Sequence, residues 1–252
     1  MGMLSYNLED KVVVVTGGTR GIGLEMASVL LEQNAKVVIC GRKQEGLTAA
    51  QSELRNDNLF GVQAHIAKEE DVEDLFNKTI DKFGKLDALI NNVGMNIMTG
   101  LVDADTSLWQ KIIDSNLTGT FLCSRKAGQI MREQKQGKIV SITSIAARRS
   151  APGLGIYGIA KAGVETMTKA LAQELAPFNI QVNAIAPSMV RTKFSQPLWS
   201  NQELHDQIVK SIPLGRIAEP IDVAHPALFL ISEGANFITG QTLMVDGGAS
   251  AV

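Results

Sequence analysis

The stretch "KVVVVTGGTRGIG", Lys11 to Gly23, decides how the chain folds. Four consecutive valines make a strand that is apolar on both faces, and only a sheet covered on both sides buries such a strand. Glycines follow at 17, 21 and 23, and from Ile22 to Gln33 the apolar residues recur with helical period. Glycine allows the tight turn and lets backbone N–H groups approach a pyrophosphate, which the helix N-terminus then stabilises. The spacing is T-G-x-x-x-G-x-G rather than G-x-G-x-x-G. A glycine cluster alone is more often a plain turn, but a strand before it and a helix after it point to a dinucleotide site.

Working outward, the same alternation continues. Strands are expected at Lys36–Cys40, Phe60–His65, Leu86–Asn92, Gly137–Thr143, 180–186 and 241–246, with helices at Lys43–Asn56, after Glu69, at Ser107–Glu133, Tyr157–Ala176 and Ile221–Ser232. Apolar strands alternating with helices predict an α/β fold, a doubly wound parallel sheet (Rossmann fold) of seven strands with helices on both faces. No linker-like shift or fixed-period repeat interrupts it, so 1–252 is expected to form one domain. The exception to the rhythm is a run of about thirty residues after the sixth strand, and a long insertion of this kind is usually functional. A substrate lid is expected at 189–212.

Composition excludes several classes. Hydrophobic residues make up 45% and charged residues 20%, so a core can form and disorder is not expected. With 24 basic and 26 acidic residues the net charge is −2, and no block of like charge suggests nucleic acid. Cys40 and Cys123 sit in apolar runs as reduced thiols, and His65, His205 and His225 form no ligand pattern, so no metal is expected. The start, "MGMLSYNLEDK", lacks the basic flank and apolar core of a signal peptide, and no apolar run reaches the roughly 18 residues that span a bilayer. The expectation is a cytoplasmic protein with no membrane partner.

The end of the second strand speaks to cofactor choice. An NAD site usually places Asp or Glu there, against the ribose 2′-hydroxyl. Here "VVICGRK" puts Gly41 and Arg42 in that place, and Arg20 lies inside the glycine turn. Two guanidinium groups suit a 2′-phosphate, which they bind through paired charge-assisted hydrogen bonds. NADP(H) is expected, with NAD(H) as the alternative.

Only two tyrosines occur, Tyr6 and Tyr157, and the second lies four residues before Lys161 on one helix face. Free tyrosine, with a pKa of about 10, is a poor base near neutrality. A nearby ammonium favours phenolate, and a downward shift of about three units would require roughly 4 kcal/mol. Tyr157 would then exchange a proton with an alcohol or carbonyl oxygen.

Taken in order, "TGGTRGIG", "NNVG" (Asn91–Gly94), "DSNLTG" around Asn116, "SITS" ending at Ser144, "YGIAK" and "NAIAPSMVRT" (Asn183–Thr192) resemble the short-chain dehydrogenase/reductase family over the whole chain. The resemblance implies a catalytic tetrad of Asn116, Ser144, Tyr157 and Lys161. Ser144 would orient the substrate oxygen, Tyr157 would be the acid/base, Lys161 would hold the nicotinamide ribose, and Asn116 would position a water. It implies cofactor contacts from Gly17, Thr19, Arg20, Gly21, Ile22, Gly23, Arg42, Ile66, Asn92, Gly94, Tyr157, Lys161, Pro187, Val190 and Thr192, with Asn92 also steadying the fold. Three positions depart from the family pattern: Val93 in "NNVG", Ser188 after Pro187, and His65 where an acidic residue often faces adenine.

Within the family, "RTKFSQPLW" (Arg191–Trp199) and the His65 variant resemble carbonyl reductases of the peroxisomal and microbial type, although the C-terminus "DGGASAV" is no peroxisomal address. The implied activity is NADP(H)-dependent interconversion of a carbonyl and a secondary alcohol (EC 1.1.1.-). The alternatives are a 3-oxoacyl-[acyl-carrier-protein] reductase, against which Gln173 stands in place of a docking arginine, and a nucleotide-sensing protein without catalysis. The substrate walls are expected from Ser144, Met95, Leu154, Tyr157, Met189, Phe194 and Trp199, with Ile97 and Met98 beside them; such apolar walls favour a hydrophobic carbonyl. Trp199 either lines this pocket or packs against the base of the lid. A homotetramer is implied by the resemblance.

Overall fold

The computed structural model describes residues 5–251. Residues 1–4 of the segment read for a leader, and residue 252 of the C-terminal motif, lie outside that range. Seven strands form one parallel sheet in the order β3-β2-β1-β4-β5-β6-β7. They are β1 (Val12–Thr16), β2 (Lys36–Gly41), β3 (Leu59–Gln63), β4 (Ala88–Asn91), β5 (Gly137–Ile142), β6 (Ile180–Pro187) and β7 (Thr242–Val245). Their side chains feed two cores. Val13 and Val15 join α1 (Gly21–Glu32), α2 (Gln44–Leu54) and α9 (Pro220–Ile231) on one face. Val14 joins α3 (Glu69–Phe83), α5 (Gly119–Gln134) and α6 (Gly155–Leu175) on the other. The two-sided valine run is thus explained by period-two alternation between two covered faces.

Strand order reverses between β1 and β4, and all the strands end at the same edge. A crevice outside the carboxyl ends of strands at such a switch point is where open α/β sheets bind ligands.

One expectation needs correction. The helix expected to run unbroken over Ser107–Glu133 is α4 (Thr106–Ile113), a π-helical segment (Asp114–Thr118) and α5. The cause is Asn116, whose side-chain Nδ2 donates to Ile112 O at 2.8 Å. That carbonyl would otherwise take the α-helical N–H of residue 116, so the ladder widens and Gly119 N donates to Asp114 O. The insertion after β6 contains two helices, α7 (Gln196–Trp199) and α8 (Gln202–Lys210), and its two ends meet where Val190 bridges Ala218. The excursion that contains 189–212 therefore closes at 218. Among the described residues no helix is long and apolar enough to cross a membrane.

Candidate active site

The glycine turn is fastened to the switch point. Gly17 has φ +67°, a left-handed conformation that favours glycine, and a Cβ on Gly23 would lie 2.4 Å from Gly17 O. Helix α1 therefore starts directly on the turn, glycine backbone against glycine backbone. Asn92 locks the turn to β4: its N–H donates to Thr16 Oγ1 at 3.0 Å, and its Nδ2 donates to Thr16 O at 3.1 Å and Gly17 O at 3.3 Å. Thr192 arrives from the far side, its Cγ2 3.4 Å from where a Gly21 Cβ would stand. Pro187 and Val190 are buried beneath it. Ile22 is half-buried at the start of α1, and Ile66 packs against Gly119.

At the end of β2 the Thr19 side chain lies over Gly41, where a Cβ would come within 2.8 Å of Thr19 Cγ2. Arg20 and Arg42 flank this contact in sequence, and both are exposed. Neither guanidinium has an ion-pair or hydrogen-bond partner among the described residues. Glycine backbone at the helix N-terminus, two uncommitted cations and a closed second-strand end together fit a phosphate-bearing dinucleotide.

Asn116 is fully buried, and besides Ile112 it holds the backbone of Met95 from both sides: Nδ2 donates to Met95 O at 2.7 Å, and Met95 N donates to Oδ1 at 3.1 Å. Its amide therefore fixes the strand-end loop and leaves one lone pair of Oδ1 uncommitted. A Cβ on Gly94 would sit 3.5 Å from Asn116 Oδ1 and 3.7 Å from Lys161 Nζ. Gly94 thus leaves open the space that these two residues share.

Ser144 ends the extension of β5 and caps a 3-10 turn (Ile145–Ala147), its Oγ accepting from Ala146 N at 3.1 Å. Tyr157 and Lys161 face it from α6. Lys161 is 2% exposed, its Nζ donates to Ile142 O at 2.8 Å, and its backbone O accepts from Thr143 Oγ1 at 3.0 Å. Nζ stands 5.6 Å from the centre of the Tyr157 ring. The structure thus brings Asn116, Ser144, Tyr157 and Lys161 to one edge of the sheet, from three different segments.

The ionisation of the pair runs against the expectation. Burial pushes the Tyr157 phenol up to about 12, with a hydrogen bond from Ser144 opposing it. Burial also draws the Lys161 ammonium down to about 8. Desolvation outweighs the attraction of the ammonium for a phenolate, so in the protein alone the phenol keeps its proton at neutral pH.

On the substrate side, Met95 and Leu154 are half-buried. Met98 lies against Gly153, its Cε 3.0 Å from where a Cβ there would stand. Met189 is half-buried and Phe194 is exposed. Trp199 is tied to the base of the insertion: its Nε1 donates to Thr192 O at 3.3 Å and Ser195 Oγ at 3.1 Å, and Arg191 stacks 5.1 Å above the ring. Of the two placements open to Trp199, these bonds favour the base.

Reading the sequence alone misses two features. Gly158 sits inside α6, where a Cβ would come within 2.7 Å of Ala146 O, so the Ser144 turn rests directly on the helix. An interior helical glycine, which costs about 1 kcal/mol against alanine, is the signal that was available. The other is Glu165, a buried carboxylate paired with Arg148 at 2.9 Å.

With this geometry in place, the comparisons with known proteins are specific. The family model described as enoyl-(acyl carrier protein) reductase matches residues 17–250. Dehydrogenase/reductase SDR family member 4 of Sus scrofa is 36% identical, over 97% of this chain and 88% of that protein. The chain belongs to the short-chain dehydrogenase/reductase family. A 3-oxoacyl-[acyl-carrier-protein] reductase of Synechocystis sp. is 39% identical, over 96% of this chain and 97% of that one. A short-chain type dehydrogenase/reductase from Mycobacterium ulcerans superposes with a TM-score of 0.94 at 31% identity, covering 98% and 92% of the two chains. As a short-chain dehydrogenase/reductase, the protein is an oxidoreductase acting on a carbonyl or alcohol with a nicotinamide cofactor.

Proposed function

We propose that this short-chain dehydrogenase/reductase is an NADP(H)-dependent reductase of small apolar ketones, acting as a homotetramer, with cofactor and catalytic residues in a single domain. The observation that carries the reading is the Ser144–Tyr157–Lys161 group, half-buried except for the fully buried lysine, in which the phenol stays protonated at neutral pH. A protonated phenol is an acid ready to donate, which suits carbonyl reduction. Ser144 Oγ already accepts from Ala146 N, so its own O–H is left to donate to the substrate oxygen or to the phenol. Lys161 spends one N–H on Ile142 O and keeps others for the ribose hydroxyls. Bound, the nicotinamide supplies or accepts the hydride at the substrate carbon. Tyr157 gives the proton to the carbonyl oxygen, and Ser144 holds that oxygen in place.

Preference for NADP(H) is supported by the two uncommitted guanidiniums of Arg20 and Arg42, and by Thr19 filling the space that an acidic side chain at 41 would need. An apolar substrate is supported by the apolar side chains of Met95, Met98, Leu154 and Met189, which the sequence places beside the catalytic residues. A 3-oxoacyl thioester is the second reading, favoured by the similarity to the Synechocystis protein. The exposed Gln173 on α6, where that branch carries a docking arginine, weighs against it.

The test is calorimetric binding of NADPH and NADH, followed by turnover of cyclohexanone, acetophenone and acetoacetyl-coenzyme A. Tighter NADPH binding and faster ketone turnover are expected, with turnover lost in Tyr157→Phe while NADPH still binds. Tighter NADH binding would overturn the cofactor reading, faster thioester turnover would favour the second substrate reading, and an active Tyr157→Phe would overturn the mechanism. Sedimentation as a 27.1 kDa species at micromolar concentration would overturn the tetramer.

A further inference from the structure

Three residues spaced four apart on α6, Tyr157, Lys161 and Glu165, form one stripe that faces the chain leaving β5. The first two belong to the site already described, and the third does not. Glu165 is 7% exposed, its Oε1 is buried without a partner among the described residues, and its Oε2 accepts from Arg148 Nε at 2.9 Å. A buried carboxylate with one unsatisfied oxygen is a poor stabilising device, because desolvation opposes the pairing. What the pair does is geometric. Arg148 ends the 3-10 turn that Ser144 begins. The start of that turn is fastened through Thr143, whose N–H donates to Ile185 O at 2.7 Å and whose hydroxyl donates to Lys161 O at 3.0 Å. Its middle rests on Gly158. Its far end is held to α6 by Arg148 and Glu165, while Arg149 Nη1 donates to Ala249 O at 3.1 Å on the C-terminal segment.

Building on the catalytic roles proposed above, we propose that Arg148 and Glu165 are positioning residues. Their pairing clamps the Ser144 turn onto α6 and so sets how the Ser144 hydroxyl meets the Tyr157 phenol. Neither touches the reacting atoms. They act only through the turn, and the clamp requires the direction of a guanidinium–carboxylate bond rather than mere bulk.

The experiment compares Arg148→Ala, Arg148→Lys and the paired change Arg148→Met with Glu165→Leu, alongside Tyr157→Phe. The paired change removes both charges, so it strands no buried carboxylate and keeps the test valid even if Arg148→Ala fails to fold. Reduction of acetophenone by NADPH, NADPH binding and thermal unfolding are measured for each. Expected is a kcat loss of roughly 10- to 100-fold, the size that small misplacements of reacting groups produce, with NADPH affinity unchanged. Arg148→Lys recovers part of the loss, added guanidinium ion raises kcat of Arg148→Ala but not of the wild type, and the paired variant stays slow although stable. Three results would overturn the clamp: a lowered melting temperature with wild-type kcat, wild-type kcat in the paired variant, or a matching loss of NADPH affinity. Loss of turnover in Tyr157→Phe with full turnover in Arg148→Ala would sink the clamp and leave the mechanism standing. Full turnover in Tyr157→Phe would sink both.

Discussion

Replacing Gly158 by alanine separates what holds the fold from what aligns the site. The added Cβ would stand 2.7 Å from Ala146 O, a backbone atom of the turn that Ser144 begins. Carbon–oxygen contacts of this kind settle at about 3.3–3.6 Å, so the turn and the helix must part by roughly 0.6 Å or more. Alanine in a helix interior returns about 1 kcal/mol over glycine, and overpacking costs about 1–3 kcal/mol. The net loss of stability is therefore about 0–2 kcal/mol, a melting-temperature drop of at most about 8 °C for a chain of this size. Activity should suffer more. A misplacement of about 1 Å can cost 10²-fold, so a shift of roughly 0.6 Å between Ser144 and Tyr157 should lower kcat about tenfold. The assay is NADPH absorbance with acetophenone under saturating cofactor, paired with thermal unfolding. A kcat within a factor of about two of wild type, well short of that tenfold loss, would refute the contact between the turn and the helix as the thing that aligns the site.

Other perturbations probe separate parts of the molecule. Arg42→Asp removes an exposed guanidinium that has no partner among the described residues, so stability should change by no more than about 0.5 kcal/mol. NADPH affinity should fall roughly 10- to 100-fold, the worth of one charged hydrogen bond of about 1.5–3 kcal/mol, and unchanged NADPH binding in calorimetry would remove Arg42 from the cofactor site. Trp199→Ala loses the Nε1 bonds to Thr192 and Ser195 and the stacking of Arg191. It should lower the melting temperature by a few degrees, about 2–4 °C per kcal/mol, and leave KM for acetophenone in place; a raised KM at unchanged stability would return Trp199 to the pocket wall.

How much of this was legible in the sequence depends on the kind of signal. The valine run at 12–15 and "KVVIC" carry their burial in composition, so the strands, their parallel pairing and the two-sided sheet follow from apolar pattern alone. Asn116, Ser144, Tyr157 and Lys161 are legible only through the resemblance of the ordered motifs to the family; periodicity by itself shows no more than that Tyr157 and Lys161 share a helix face. What pattern could not carry was anything set by a single side chain competing with backbone. The π-helical segment exists because one amide of Asn116 takes the carbonyl of Ile112, an event invisible to periodicity. The helices of the insertion are short, and the meeting of Val190 with Ala218 is a long-range pairing that no local window contains. Glu165 looks in sequence like any solvated helix acid; only its place on the stripe of Tyr157 and Lys161 buries it.

The same burial makes a last prediction, about stability against pH in the absence of cofactor. Lys161 titrates near 10.5 when exposed and at about 8 in the folded protein. Between pH 8 and 10.5 the unfolded chain holds a proton there that the folded chain has released, so the stability contributed by this residue rises with pH across that window. Tyr157 acts in the opposite sense: its phenol is raised to about 12, so from pH 10 to 12 the folded chain holds the extra proton and stability falls as pH rises. Below pH 8 neither group changes the slope, and the molecule carries the full cost of a buried ammonium, about 3 kcal/mol from the shift at Lys161. Lys161→Met removes that cost together with the Nζ bond to Ile142 O, worth about 1 kcal/mol, and should therefore be more stable than wild type by about 2 kcal/mol at pH 7. The gap should close as pH is raised from 8 towards 10, where the wild-type lysine loses its charge. Because both proteins share every other titrating group, the difference between their urea midpoints at each pH isolates this one. A stabilised but catalytically dead Lys161→Met would mean that the ammonium is retained for its work on the ribose and the phenol, at the expense of the fold. A gap that stays constant from pH 7 to pH 10 would show that Lys161 is not desolvated in the free protein, and the raised phenol of Tyr157, which rests on the same burial, would fall with it.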